Sequence, residues 1–244
     1  MNRRQFLKSG TLLAAGAVVG DLGSGPQGRL TARPIRPSAT IRSGLYPLGL
    51  GAGRDGLVYV PPGYDPVRPV PLLVMLHGKG GGGRISESIV ALADEFRVAV
   101  LAPDSRGVTW DIIHGTAGPD VSFIDSALAR TFAWCAVDAR RLAIAGFSDG
   151  ASYALWLGIV NGDLFGHVIA FSPGFLERGL RHGSPRIFIS HGTADDVFPV
   201  DRSRHLVPQL QQAGYRVTYR EFDGPHAMPP AVVRQAFEWF SSSS

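Results

Sequence analysis

Short, nearly continuous apolar runs alternating with helix-patterned segments predict an α/β protein with a mostly parallel central sheet and helices on both faces. The runs lie at 57–60, 72–76, 98–102, 142–145, 168–171, 187–190 and 217–221. A second observation agrees: each motif able to carry chemistry follows one of these runs, as expected where ligands bind at the carboxyl ends of strands. The third is size. A chain of 244 residues is ordinary for one such sheet, so a single domain is expected over 41–240.

The N-terminus, Asn2-Arg3-Arg4-Gln5-Phe6-Leu7-Lys8, precedes an apolar run from Thr11 to Val19 that is short for a bilayer span. Paired arginines followed by Phe-Leu-Lys resemble a twin-arginine signal peptide over residues 1–20. The resemblance implies use of the twin-arginine export machinery and a periplasmic or secreted enzyme, with no stable membrane association once the signal is cut. Val18-Val19-Gly20 offers a small-residue substitute for the usual cleavage pattern, and retention as an anchor stays open. Removing residues 1–20 takes away Arg3, Arg4 and Lys8 and no acid, which leaves 21 basic against 20 acidic residues. That balance, with Lys8 and Lys79 the only lysines and the arginines scattered, argues against a nucleic-acid partner.

Residues 21–40, rich in Gly, Pro, Ser and Arg, read as a linker, disordered or laid over the surface. Phe123, Ala127, Leu128, Thr131, Phe132 and Cys135 fall at helical spacing behind Asp120, which reads as an N-cap. Cys135, the lone cysteine, reads as a core residue. Val233, Ala236, Phe237 and Phe240 make the apolar stripe of a last helix opening at Pro229-Pro230, and 241–244 read as a tail.

Gly146-Phe147-Ser148-Asp149-Gly150 sits between an apolar run and a helix-forming stretch. A serine on so sharp a strand-to-helix turn exposes its Oγ above the sheet, and flanking glycines remove side chains that would collide. Nucleophilic attack by serine needs a base, an acid to orient it and N–H donors for the oxyanion. The run at 187–190 leads into His191-Gly192-Thr193-Ala194-Asp195-Asp196, and the run at 217–221 leads to Asp223-Gly224-Pro225-His226. The order Ser, Asp, His is that of α/β-hydrolases.

Together with Leu76-His77-Gly78-Lys79-Gly80-Gly81, these motifs resemble the α/β-hydrolases of the esterase, phospholipase/carboxylesterase and polyhydroxyalkanoate-depolymerase-like group, from about Leu57 to Phe240. The resemblance implies a serine esterase with Ser148 as nucleophile, His226 as base and Asp195, rather than Asp196, as acid. It also implies an oxyanion hole from the main-chain N–H groups of Lys79 and Asp149. His77 and His191 read as loop-orienting residues. Asp195 follows Ser148 by 47 positions, which leaves no length for a sizeable cap, so an open site for a small-molecule or polymer ester is expected. Trp110 and Phe198 are the candidate substrate contacts, suited to an aromatic or short acyl ester. No cofactor is expected, and no residue spacing points to a metal.

Two other readings stay open on the residues. Gly78, Gly80 and Gly83 satisfy G-x-G-x-x-G after an apolar run, with Asp104 placed 21 residues beyond Gly83 like the ribose-binding acid of a dinucleotide-binding oxidoreductase. A hydrolase fold kept only for binding is the other.

Overall fold

A computed structural model describes residues 28–39, 41–51, 53–114, 118–177 and 180–242. The proposed signal segment and the last two residues of the expected tail lie outside these. Eight strands form one sheet: β1 Gly44–Pro47, β2 Gly56–Val60, β3 Val70–Leu76, β4 Ala99–Pro103, β5 Val137–Phe147, β6 His167–Phe171, β7 Arg186–Gly192 and β8 Val217–Phe222. Their order is β1-β2-β4-β3-β5-β6-β7-β8, with the β1–β2 and β2–β4 pairs antiparallel and all later pairs parallel. The helices are α1 Glu87–Phe96, α2 Pro119–Trp134, α3 Asp149–Val160, α4 Asp201–Gln212 and α5 Pro230–Ser241. The longest connections, 104–118 and 172–185, are too short to build a cap domain.

Because the central strands are parallel, helices cover both faces and the strands are apolar on both sides. One core joins Leu72, Val74 and Ile144 to Phe132, Tyr153, Leu157 and Phe165 beneath α2, α3 and α4. The other joins Leu73, Val100, Ala143 and Phe188 to Leu92, Phe237 and Phe240 beneath α1 and α5. Cys135 is buried in the first core. Seven strands coincide with the apolar runs; β1 does not stand out because its four residues, Gly-Leu-Tyr-Pro, pair only along one edge and alternate half-buried with exposed.

One expectation is met in one of its two forms, and one is corrected. The segment read as a linker, disordered or laid over the surface, is laid over the molecule and fastened from Gly28 onward, its residues 21–27 lying outside the described ones: Arg29 binds Asp163 with both Nη atoms and also the Val160 carbonyl, Leu30 N–H donates to Asn161, and Thr31 and Ala32 N–H donate to Asp125. Leu30 is 2 % exposed and joins the core. The physical reason lies in α3, whose twelve residues are all buried. A helix apolar all round needs cover on its outer face as well as on the sheet, and the strap supplies it. Asp120, in turn, caps no helix of its own: Gly118 occupies the N-cap of α2, while the Asp120 carboxylate accepts the main-chain N–H groups of Arg106 and Asp111.

Candidate active site

The β5 to α3 turn places Ser148 at φ 57°, ψ −121°, a left-handed region that costs a non-glycine residue about 1–3 kcal/mol. The surroundings hold it there. Its N–H donates to the Phe171 carbonyl at 3.0 Å, and its carbonyl accepts from Ala151 at 2.9 Å. The flanking glycines are required by close approach: a Cβ on Gly146 would lie 2.1 Å from the Gly150 carbonyl oxygen, and one on Gly150 would lie 2.4 Å from that of His77.

Three loops converge on this serine. Ser148 Oγ lies 2.8 Å from His226 Nε2, and His226 Nδ1 lies 2.6 Å from Asp195 Oδ2. The carboxylate can only accept, so the Nδ1 proton points to Asp195 and Nε2 is free to accept the serine hydroxyl. Asp195 Oδ1 takes the N–H groups of Val197 and Phe198 at 2.9 and 2.7 Å. Burial pushes the Asp195 carboxyl upward, but the bonds from His226, Phe198 and Val197 outweigh it and hold the group below the usual carboxylate range. Asp195 therefore stays ionised near neutral pH. Asp196, the other carboxylate of the loop, is exposed.

His191 fixes the acid loop from beneath. Its Nε2 faces the Phe198 carbonyl at 2.7 Å and Asp195 Oδ2 at 3.2 Å, both acceptors, so Nε2 carries the proton and Nδ1 accepts from Ser203 Oγ at 2.7 Å. The histidine loop is laced to the acid loop through Thr193 N–H to Phe222 and Ala194 N–H to Gly224. The His226 ring sits between two phenylalanines, Phe147 at 4.7 Å and Phe198 edge-on at 5.5 Å. Phe198, expected as a substrate contact, is half-buried against the ring of His226.

The loop after β3 lies on the other side of the serine. Gly78 packs against it, so that a Cβ there would stand 3.4 Å from Ser148 Cβ. Lys79 is exposed and follows Gly78; Asp149 is the first residue of α3. Neither main-chain N–H takes a backbone partner among the described residues, and at a helix start such N–H groups are free to meet a ligand. The Asp149 side chain is buried and accepts from Thr109 Oγ1 at 2.7 Å.

Segment 105–110 braces both of these N–H positions. Ser105 N–H donates to His77 Nε2 at 3.0 Å, the Val108 carbonyl takes Gly80 N–H at 2.8 Å, Thr109 binds Asp149, and Trp110 Nε1 donates to the His77 carbonyl at 2.8 Å. His77 Nδ1 then donates to Gly78 O at 2.7 Å, and burial holds this imidazole below its ordinary pKa. Arg54 clamps the same loop through the Gly81 and Ser105 carbonyls and the Ser105 hydroxyl. Trp110 is thus corrected: at 0 % exposure, packed on His77 and Tyr153, it supports the loop from below and presents no surface to a substrate.

Asp104, which the dinucleotide reading needs free for a ribose, spends its carboxylate on the main-chain N–H groups of Gly83 and Asp55. A Cβ on Gly82 would stand 2.9 Å from its Oδ1. The glycine run therefore wraps a carboxylate of its own chain where that reading requires a pyrophosphate. Among the described residues no group of His, Cys, Asp and Glu side chains is arranged to hold a metal ion. Arg54, Thr109 and Ser203 carry no sequence signal; each acts through a bond to a residue distant in the chain.

Residues 111–243, more than half of the chain, match the family model for phospholipase/carboxylesterase. Feruloyl esterase C of Emericella nidulans is 28% identical over 201 residues, which cover 78% of this chain and 70% of that one. Among solved structures, FphF, a fluorophosphonate-binding serine hydrolase of Staphylococcus aureus, superposes with a TM-score of 0.66 at 15% identity, covering 83% of this chain and 100% of that chain. The Bacillus cereus carboxylesterase superposes with a TM-score of 0.58 at 21% identity over 80% of this chain and 96% of its own. The eight-stranded α/β-hydrolase sheet and the family match over its carboxyl-terminal half lead to one assignment: the chain belongs to the phospholipase/carboxylesterase family and is a carboxylic ester hydrolase.

Proposed function

We propose that the protein is a serine esterase working through an acyl-enzyme, with Ser148 as nucleophile, His226 as general base and acid, and Asp195 as the orienting carboxylate. The unbroken chain of bonds from Ser148 Oγ through His226 to Asp195 carries this reading. His226 Nε2 takes the hydroxyl proton as Oγ attacks the ester carbonyl, and the tetrahedral oxyanion is met by the N–H groups of Lys79 and Asp149. Collapse breaks the bond to the alcohol, which leaves with the proton held on His226. Water, deprotonated by the same ring, then releases the acid and restores the serine. Asp195 stays charged throughout and stabilises the imidazolium.

An aromatic or short acyl ester is the substrate class proposed, on the support of the similarity to a feruloyl esterase. The first twenty residues are proposed to direct twin-arginine export; replacing Arg3 and Arg4 by lysine should then trap the enzyme inside the cell in a fractionation assay. The chemistry is tested by Ser148→Ala, expected to lower ester turnover about 10⁴-fold or more and to abolish fluorophosphonate labelling while the thermal midpoint stays near that of the wild type. Near-full turnover by this variant would remove Ser148 from the mechanism. A wild-type protein that takes no fluorophosphonate and cleaves no ester would instead favour a hydrolase fold kept for binding.

A further inference from the structure

The main chain that carries the N–H groups of Lys79 and Asp149 is held by three bonds from segment 108–110. The Val108 carbonyl takes Gly80 N–H at 2.8 Å, Thr109 Oγ1 donates to the Asp149 carboxylate at 2.7 Å, and Trp110 Nε1 donates to the His77 carbonyl at 2.8 Å. The segment belongs to no helix or strand, and Gly107 and Val108 are exposed. A stretch with no helical or strand ladder takes its shape from bonds to its surroundings.

Asp120 supplies such bonds at both ends of the stretch. One carboxylate oxygen accepts Arg106 N–H, and the other accepts Asp111 N–H at 2.6 Å. Asp111 answers in kind: its Oδ2 takes Asp120 N–H at 2.9 Å, and its Oδ1 takes the Tyr153 hydroxyl at 3.1 Å. Asp120 is 1 % exposed and stands in the first turn of α2, whose Val121, Ile124 and Leu128 are sunk in the core. The clamp is therefore anchored to a rigid element. Only a carboxylate offers two acceptor oxygens and no donor to N–H groups arriving from two residues, and its charge makes both bonds stronger than neutral ones.

We propose that Asp120 is a positioning residue for ester cleavage: by gripping the chain at 106 and 111 it sets where the Lys79 and Asp149 N–H groups stand relative to Ser148, without touching the substrate. The inference rests on the serine mechanism proposed above. A donor to the oxyanion acts at about 2.7–3.1 Å from the position that oxygen will occupy, and such groups have to be held within about 0.5 Å. Slack at 106 or 111 passes through Val108, Thr109 and Trp110 to both donors at once. The ground-state ester makes little use of these donors, so the loss falls on kcat and leaves KM in place.

The test uses the full-length enzyme with 4-nitrophenyl acetate as substrate and trifluoroacetophenone as a mimic of the tetrahedral state. On this ketone the Ser148 Oγ–carbon bond forms, the hydroxyl proton moves to His226 Nε2, and the carbonyl oxygen takes the negative charge. Asp120→Asn, which keeps one acceptor, should lower kcat about tenfold, and Asp120→Ala about a hundredfold, with KM within about twofold of wild type. Ketone affinity should fall by the same factor as kcat. Combining Asp120→Asn with Thr109→Val should cost far less than the product of the two single losses, because both act through one segment. Ala127→Gly, buried in α2 away from the clamp, should lower the thermal midpoint and leave kcat unchanged.

Unchanged kcat in the Asp120 variants overturns the inference. So do a KM effect as large as the kcat effect, unchanged ketone affinity, or losses that multiply in the double variant. An Asp120→Asn chain that does not fold also overturns it, since the carboxylate would then serve folding alone. If Ser148→Ala abolishes turnover while the Asp120 variants keep theirs, the serine mechanism stands and this inference alone falls. If Ser148→Ala keeps its turnover, both fall.

Discussion

The two loops flanking Ser148 hold their groups by opposite means. The acid loop, 191–199, is largely self-sufficient: Asp195 is gripped by N–H groups two and three residues ahead, and His191 reaches the Phe198 carbonyl and Asp195 within the same stretch. The glycine loop, 78–83, has almost no side chains and is held from outside, by Arg54, Asp104, Ser105, Val108 and Trp110. A carboxylate can be fixed by spending its acceptor sites on neighbouring N–H groups. An oxyanion donor has one N–H, which must stay free for the substrate, so everything that positions it has to act on the atoms around it.

The largest loss is expected at the carboxylate. Asp195→Asn should lower kcat about 10⁴-fold, because an amide NH2 facing Nδ1 favours the tautomer that cannot take the serine proton. The same change should flatten stability against pH at the acid end. Asp195 has a folded-state pKa below its unfolded one, so its stabilisation is present above the unfolded value, about 3.9, and is lost as pH falls through the folded value. Urea titrations from pH 6 down to pH 3 check this; an unchanged slope would show that the carboxylate is not held as described.

Thr109→Val tests the other loop. It keeps the shape and removes the hydroxyl that ties segment 105–110 to Asp149. The loss expected is about tenfold in kcat with KM little changed, part of the 10²–10³ that an oxyanion donor is worth. Thr109→Ser should restore most of it, and the pH profile should keep its shape. A KM effect of equal size would instead place Thr109 in substrate binding. The mildest change is Ser203→Ala, which leaves the buried Nδ1 of His191 without a donor and should cost about 1–3 kcal/mol of stability with a few-fold loss of kcat. A thermal melt and a kcat measurement at one temperature suffice.

These differences also explain what could be read from the residues. Ser148, Asp195 and His226 stand in short motifs at strand ends, and parallel topology brings such ends to one rim, so their convergence is legible. The acid loop is legible because its bonds are local. The brace under the glycine loop is not: Trp110 looks like a surface aromatic until its indole N–H is seen to bind a carbonyl 33 residues away. Arg54 and Asp104 reach the loop from just outside the ends of β2 and β4, with no fixed spacing. Asp120 has the look of a cap because it sits where a helix begins, yet its oxygens serve the loop at Arg106 and Asp111. The strap at 28–32 is hidden for another reason. Gly, Pro and Arg are typical of free linkers, and only the all-apolar circumference of α3 betrays that something must lie over it.

That strap sets a limit on proteolysis. Leu30 fills the core, and Asn161 at the end of α3 bonds both Leu30 N–H and the Gly28 carbonyl. A proteolytic cut before Gly28 spares this clasp, whereas one past Leu30 would strip α3 of its roof and leave a sticky, aggregation-prone product. The fold tolerates trimming from its N-terminal side only up to a fixed point.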